Sequence, residues 1–284
     1  FDWNYPAFLQ ASQETLAMID RETKNDPDAK LKYAGRVANV NNYYKNRKGM
    51  LTSYENGDIL ARKTKEHAEL KAWINSNAAR KKEFGADIEE VEKLIAQRDA
   101  DTKRDFFLTS SSPRLLRAAR DLYRLANEIT KPNVERKAGY QERYLPRFQA
   151  GVAAVDRTYA EKVDKALVLN SLVKYAAQPK AQRSANFDAA MGITDGMTEA
   201  QLKAVLDKMY AGSQLADKAA RTAWLGKKPE DFKASNDSFI KAAVAMYDQG
   251  LKSEAEEEEL GGKIQQAYAN YMKAKIAYMT SKGQ

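Results

Sequence analysis

The sequence predicts an all-α protein, a multi-helix bundle, on three observations. Apolar residues recur three and four positions apart almost throughout; the breaks between these runs carry helix caps and stops; and no useful length of chain alternates with the two-residue period of a strand. Residues 1–284 are expected to form a single α-helical domain, with a sub-lobe division near 179–197.

Asn4 with Tyr5-Pro6 opens a first helix towards Lys24, and Asn25-Asp26-Pro27 breaks and restarts the chain. The second helix runs from about Pro27 to Tyr54 and stops at Asn56-Gly57. Asp58 caps a third, which carries Leu60, His67, Leu70, Trp73 and Ile74. Gly85 closes that pair, and Asp87 with Glu90 forms a capping box for a fourth helix. Ser112-Pro113 starts a strongly amphipathic fifth, with Leu115, Leu116, Ala119, Leu122, Ala126 and Ile129 on one face, ending at Lys131-Pro132. An irregular link from Asn133 to Tyr144 leads to Pro146 and a helical run ending by Gln178-Pro179.

The pattern weakens between Pro179 and Gly196, which reads as a loop crossing between lobes. Thr198 and Gln201 make a capping box, Gly212 and Gly226 bracket a short helix, and Pro229 begins a turn. Ser235 opens a helix towards Leu260, and Gly261-Gly262 marks a break before a last helix that reaches Thr280.

The net charge of +8 raises the possibility of a nucleic-acid partner. Its distribution argues against one, because basic and acidic residues alternate along most helices, the pattern of ion-paired exposed faces. No recognition-helix, zinc-finger or RNA-binding signature is present, so no nucleic acid is expected. No apolar run approaches the roughly 20 residues of a membrane span, so no membrane partner is expected either. The chain begins Phe1-Asp2-Trp3 without an initiator Met, and reads as a soluble piece of something longer. With no Cys, disulfides and thiolate chemistry are ruled out, yet the compartment stays open.

The second helix has two unlike faces. At about 100° per residue, Tyr33, Val37, Val40, Tyr44 and Leu51 fall on one side and Gly35, Asn39, Asn42, Asn46 and Gly49 on the other. Glycine and asparagine are poor helix formers and odd choices for a merely solvated face. Either a neighbouring helix approaches closely there, or the face is a ligand wall, since an uncharged amide offers an acceptor and two donors. Spacing alone leaves both readings open.

Signs of catalysis are mostly negative. There is no phosphate loop, zinc motif or nucleophile elbow. His67, the only histidine, sits among charged neighbours on a helix face and reads as a packing or solvated residue. No catalytic residue, metal or cofactor is expected in this chain. By itself it reads as a helical binding or capping domain, the alternative being a free-standing interaction module.

Two blocks carry a family resemblance. Asn42-Tyr43-Tyr44-Lys45-Asn46-Arg47-Lys48-Gly49-Met50, followed by Lys63, Lys65-Glu66 and Trp73, resembles the helical insert of the S46 dipeptidyl-peptidases. Glu135 to Arg147, followed by Tyr159 and Val163-Asp164-Lys165-Ala166, is similar to a second block of that insert. Thr52-Ser53-Tyr54 departs from the family pattern, where a glycine-leucine pair is expected, which bears on the end of the second helix.

The resemblance implies the α-helical insert domain of a chymotrypsin-like double β-barrel serine peptidase. Such enzymes are periplasmic or surface homodimers that release dipeptides from peptide N-termini, with their triad on the barrel. The implied partners are the peptide N-terminus and the catalytic barrel of the same parent chain. The resemblance further implies that Asn42 binds the substrate α-amino group, with Asn46 and Asn39 as secondary candidates.

Overall fold

A computed structural model describes residues 4–283; the Phe1-Asp2-Trp3 start lies outside the described residues. The expected all-α class holds. Thirteen α-helices and several 3-10 turns, with no strand, make up the described residues. They are α1 (Asn4–Thr23), α2 (Pro27–Asn56), α3 (Ile59–Asn75), α4 (Ala78–Ser110), α5 (Arg114–Ile129), α6 (Leu145–Ala153), α7 (Glu161–Ala176), α8 (Ala185–Met191), α9 (Glu199–Ala211), α10 (Lys218–Thr222), α11 (Pro229–Lys233), α12 (Ser238–Ala245) and α13 (Tyr247–Ser281). No described helix is long and apolar enough to cross a membrane.

The chain divides into two compact units, residues 1–9, 43–103 and 251–284 against residues 10–42 and 104–250. The boundaries fall inside α1, α2, α4 and α13. Segment 179–197 lies wholly within the second unit, so the division expected there is corrected.

In the first unit, Leu70 and Ile74 of α3, Ile88 of α4 and Ala274 of α13 bury one another, flanked by Trp73, Phe84, Tyr271 and Tyr278. A further layer joins Val91 and Leu94 of α4 to Ile264 and Ala267 of α13. His67 belongs to this packing. Its Nε2 lies 2.7 Å from Glu92 Oε1, its ring stacks on Tyr271, and Lys71 Nζ donates to both Glu92 oxygens at 2.9 and 3.0 Å.

Several expected boundaries move in this unit. Asp58 makes no side-chain cap; it takes a left-handed conformation (φ 46°) that turns the chain between α2 and α3. The next break comes at Ser76-Asn77 rather than Gly85, because Asn77 Oδ1 accepts the N–H groups of Ala79 and Arg80 at 2.9 and 3.1 Å. The capping box of Asp87 and Glu90 is absent, since both lie inside α4, and Asp87 instead accepts from Asn270 Nδ2 at 2.9 Å. Gly261 and Gly262 do not interrupt α13. Their helix cost of roughly 0.5–1 kcal/mol each is offset by Leu260 and Ile264, which pack on the α4 layer from either side.

The second unit is organised around α5. Leu115, Leu116, Ala119, Leu122 and Ala126 meet Phe239, Ile240, Ala242 and Ala243 of α12, and the same core takes in Leu172 and Tyr175 of α7 with Leu202 and Leu206 of α9. Pro113, which precedes α5, offers no side-chain cap. The capping acceptor comes from α7 instead. Buried Asp164 takes the Arg114 N–H at 3.0 Å and the Tyr210 hydroxyl proton at 2.6 Å. Burial, with the Asp164 charge beside it, pushes the Tyr33 hydroxyl up to about 12 and raises Tyr159 and Tyr210 too.

Two further buried charges fix the irregular stretches. Arg221 is fully buried and donates to the carbonyls of Val152, Leu215 and Ala216 at 2.9, 2.7 and 3.1 Å, and to Asp156 Oδ1 at 2.5 Å. Glu128, at the end of α5, receives Arg124, Lys131 and the backbone N–H of Lys137. That last bond ties down the 133–144 link, which winds into three single 3-10 turns. Burial alone would raise the Glu128 carboxyl, but the bonds from Lys131, Lys137 and Arg124 outweigh it and hold it below its ordinary value.

The helix expected beyond Pro146 is split by a 3-10 turn and an extended Tyr159-Ala160 before α7. In segment 179–197, Ser184 caps α8, whose Phe187 and Met191 enter the core, and Gly192 (φ 72°) ends it. The capping box of Thr198 and Gln201 forms as expected. The helix expected from Ser235 starts three residues later, because Asp237 Oδ1 accepts the N–H groups of Phe239 and Ile240 at 3.0 and 3.2 Å.

Two stability predictions follow from these charges. Asp164→Ala strands two donors and should cost about 1–3 kcal/mol for each, with helix retained, as read by chemical unfolding. Because the folded-state Glu128 carboxyl is depressed, its contribution is present above 4.5 and is lost as pH falls through its lower folded value. Glu128→Gln should flatten that acid limb, and an unchanged acid limb would contradict the assignment.

Candidate functional site

The face of α2 singled out by its composition is open. Gly35, Asn39, Asn42, Asn46 and Gly49 are all exposed. Their positions fall within about 80° of one another and span about 21 Å of helix. A Cβ added at Gly35 or Gly49 would meet nothing within 4 Å. The close-helix reading of this stripe therefore finds no partner among the described residues. The three predicted asparagines share one face, each with its amide directed away from the packed side of its own helix.

What turns that face outward is the anchoring of the opposite one. Tyr33 is buried with Ile19, Ala29, Val163 and Leu167 in a small core of the second unit, and Val37 packs beside it. In the first unit the Arg47 guanidinium lies over the rings of Tyr5 and Phe8, 5.1 and 5.3 Å from their centroids. The Tyr5 hydroxyl meets Met50 Sδ at 3.9 Å. Each contact fixes the rotation of α2 within its own unit. Packing on the opposite side thus leaves this face exposed, and the amides supply neutral donors and acceptors along it.

A concave site that the sequence reading missed lies in the second unit. Between α5 and the 138–155 stretch is a cleft of about 510 Å³, within the usual size of small-molecule sites. Arg114, Ala118 and Asp121 line one side as positions i, i+4 and i+7 of α5, and Gly139, Arg147, Phe148 and Gly151 line the other. The available signal was the run of charged residues along a helix of which only the apolar face was read.

The model of the family described as Peptidase S46 matches residues 1–284. A protein of Shewanella putrefaciens named Asp/Glu-specific dipeptidyl-peptidase is 35% identical over 98% of this chain and 37% of its own length. Dipeptidyl-peptidase 7 of Capnocytophaga gingivalis is 26% identical over 65% of this chain and 27% of its own length. The crystal structure of Porphyromonas endodontalis DPP11 superposes with a TM-score of 0.64 at 18% identity, covering all of this chain and 39% of that one, which shows a shared fold. The chain thus spans under two-fifths of the length of each of these relatives.

The openness of the α2 face is testable in this chain. Gly35→Ala and Gly49→Ala should each leave stability unchanged or raise it by about 0.5–1 kcal/mol, because alanine favours helix and meets no neighbour. A lowered urea midpoint for either would mean that a surface lies against the stripe.

Proposed function

The chain belongs to the peptidase S46 family, and from that footing we propose that it is the helical cap of a serine exopeptidase releasing dipeptides from the free N-termini of peptides. In this reading the Asn/Gly face of α2 closes over the cleft of a catalytic β-barrel in the same parent chain. Asn42 receives the substrate α-amino group, with Asn46 and Asn39 as neighbours on the same face. The parent acts in the periplasm as a homodimer, and the reacting serine belongs to the barrel.

The observation that supports this reading is an amide-lined, exposed face opposite the contacts of Tyr33 and Arg47, with nothing among the described residues within 4 Å of a Cβ at Gly35 or Gly49. An enzyme that cuts after two residues must stop the peptide beyond its second pocket and hold the ammonium there, so that the second peptide bond meets the nucleophile. A helix face of small residues lets backbone and ligand approach closely, and asparagine Oδ1 accepts from an ammonium without the desolvation cost of a second buried charge. The Shewanella relative's name specifies acidic residues. Such a choice at the cleavage site falls to the barrel, whereas the cap sets the distance from the N-terminus.

In the full parent chain, Asn42→Ala should lower kcat/KM on free-amine substrates about ten- to a hundredfold, equivalent to roughly 1.5–3 kcal/mol for one bond to a charged group, with helical content intact. Asn46→Ala should do less. Wild-type efficiency in Asn42→Ala would sink the assignment.

A further inference from the structure

The cleft of the second unit is lined by charges of both signs. Arg114, Asp121 and Arg147 all line it, and among the described residues none of the three takes part in a salt bridge. Burial in the cleft wall raises the Asp121 carboxyl above its usual range, and nearby Arg120, Arg114 and Arg117 only partly pull it back. Three arginines thus lie near Asp121 without forming an ion pair with it, and its side chain reaches solvent.

The remaining walls leave room. Gly139 and Gly151 both line the cleft, and a Cβ at either would meet nothing within 4 Å. Gly151 sits in α6, where alanine would stabilise the helix by roughly 0.5–1 kcal/mol, so the helix gains nothing from this glycine. Phe148 and Val152 add an apolar floor.

From this arrangement we infer that the cleft binds a short zwitterionic peptide, its carboxylate on Arg114 and Arg147, its ammonium on Asp121, and its side chains against Phe148. Arg114 and Asp121 are two helical turns apart on one face, about 10 Å along α5. A dipeptide extends about 7 Å between its ends, which suits the spacing, whereas a single amino acid falls short of one partner or the other. Arginine matches a carboxylate through two parallel bonds, which fixes the direction in which the peptide lies. That the zwitterion is a peptide rests on the dipeptide-releasing reading given above; that it carries both charges rests on the cleft alone.

The test uses the full parent chain carrying Asn42→Ala, titrated calorimetrically with alanyl-alanine. Binding should persist in this background. Adding Arg147→Ala or Gly151→Trp should weaken it about tenfold or more. Gly151→Ala should bind as before and melt no lower, which separates filling of the cleft from damage to α6. If the Asn42→Ala protein binds no alanyl-alanine, or if a folded Arg147→Ala variant binds it as tightly as its parent, the inference is overturned. Failure of the cap reading shows elsewhere, as full peptidase efficiency in Asn42→Ala alone.

Discussion

One buried carboxylate sets the frame of the second unit. Asp164 on α7 sits at the N-terminus of α5, takes the Arg114 N–H and the Tyr210 hydroxyl, and so ties α7, α5 and α9 at one point. A buried charge is costly unless every lone pair finds a donor, and an orphan helix N-terminus is costly unless it finds an acceptor. Each requirement answers the other. With its start fixed by Asp164 and its end by Glu128, α5 can bury its apolar face against α12 while its charged residues line a cleft. Arg221 does for the 152–156 turn what Asp164 does for α5, meeting three carbonyls and one carboxylate with no water access.

The α2 helix follows a different logic. Its Asn/Gly side gives up helix propensity at several positions, and among the described residues nothing packs where a Cβ at Gly35 or Gly49 would lie. The opposite side holds the helix in register through Tyr33 in one unit and Arg47 in the other. In the proposed cap reading, the use of such a face is close approach. A peptide amino end lying against the face, beneath a cap, is one such use.

How much of this was legible depended on the range of the forces involved. Helix identity was readable because apolar period and local caps act within four residues: Thr198 with Gln201, and the Asn56-Gly57 stop, stand where they were expected. Glycines were misread as stops at Gly85 and Gly261-Gly262. Glycine ends a helix where it adopts the left-handed conformation, as Gly192 does at φ 72°, and not where tertiary packing holds the helix on both sides. The buried charges were illegible for a related reason. Asp164 finds its partners 46 and 50 positions away, and Arg221 reaches Val152 across 69. The Asn/Gly stripe was visible because composition alone marks it, whereas the Arg114–Asp121 cleft needed the 138–155 stretch folded over it.

The central claim is that the exposed amide face of α2 receives the free amino end of a substrate peptide. The most direct measurement is a crystal structure of the full parent chain with a bound peptide. The account predicts Asn42 Oδ1 within hydrogen-bond distance of the peptide's amino nitrogen, with Gly35 and Gly49 facing the closed cleft. A peptide whose amino end is held entirely by other groups, while the α2 face remains in solvent or packs against protein, would contradict it.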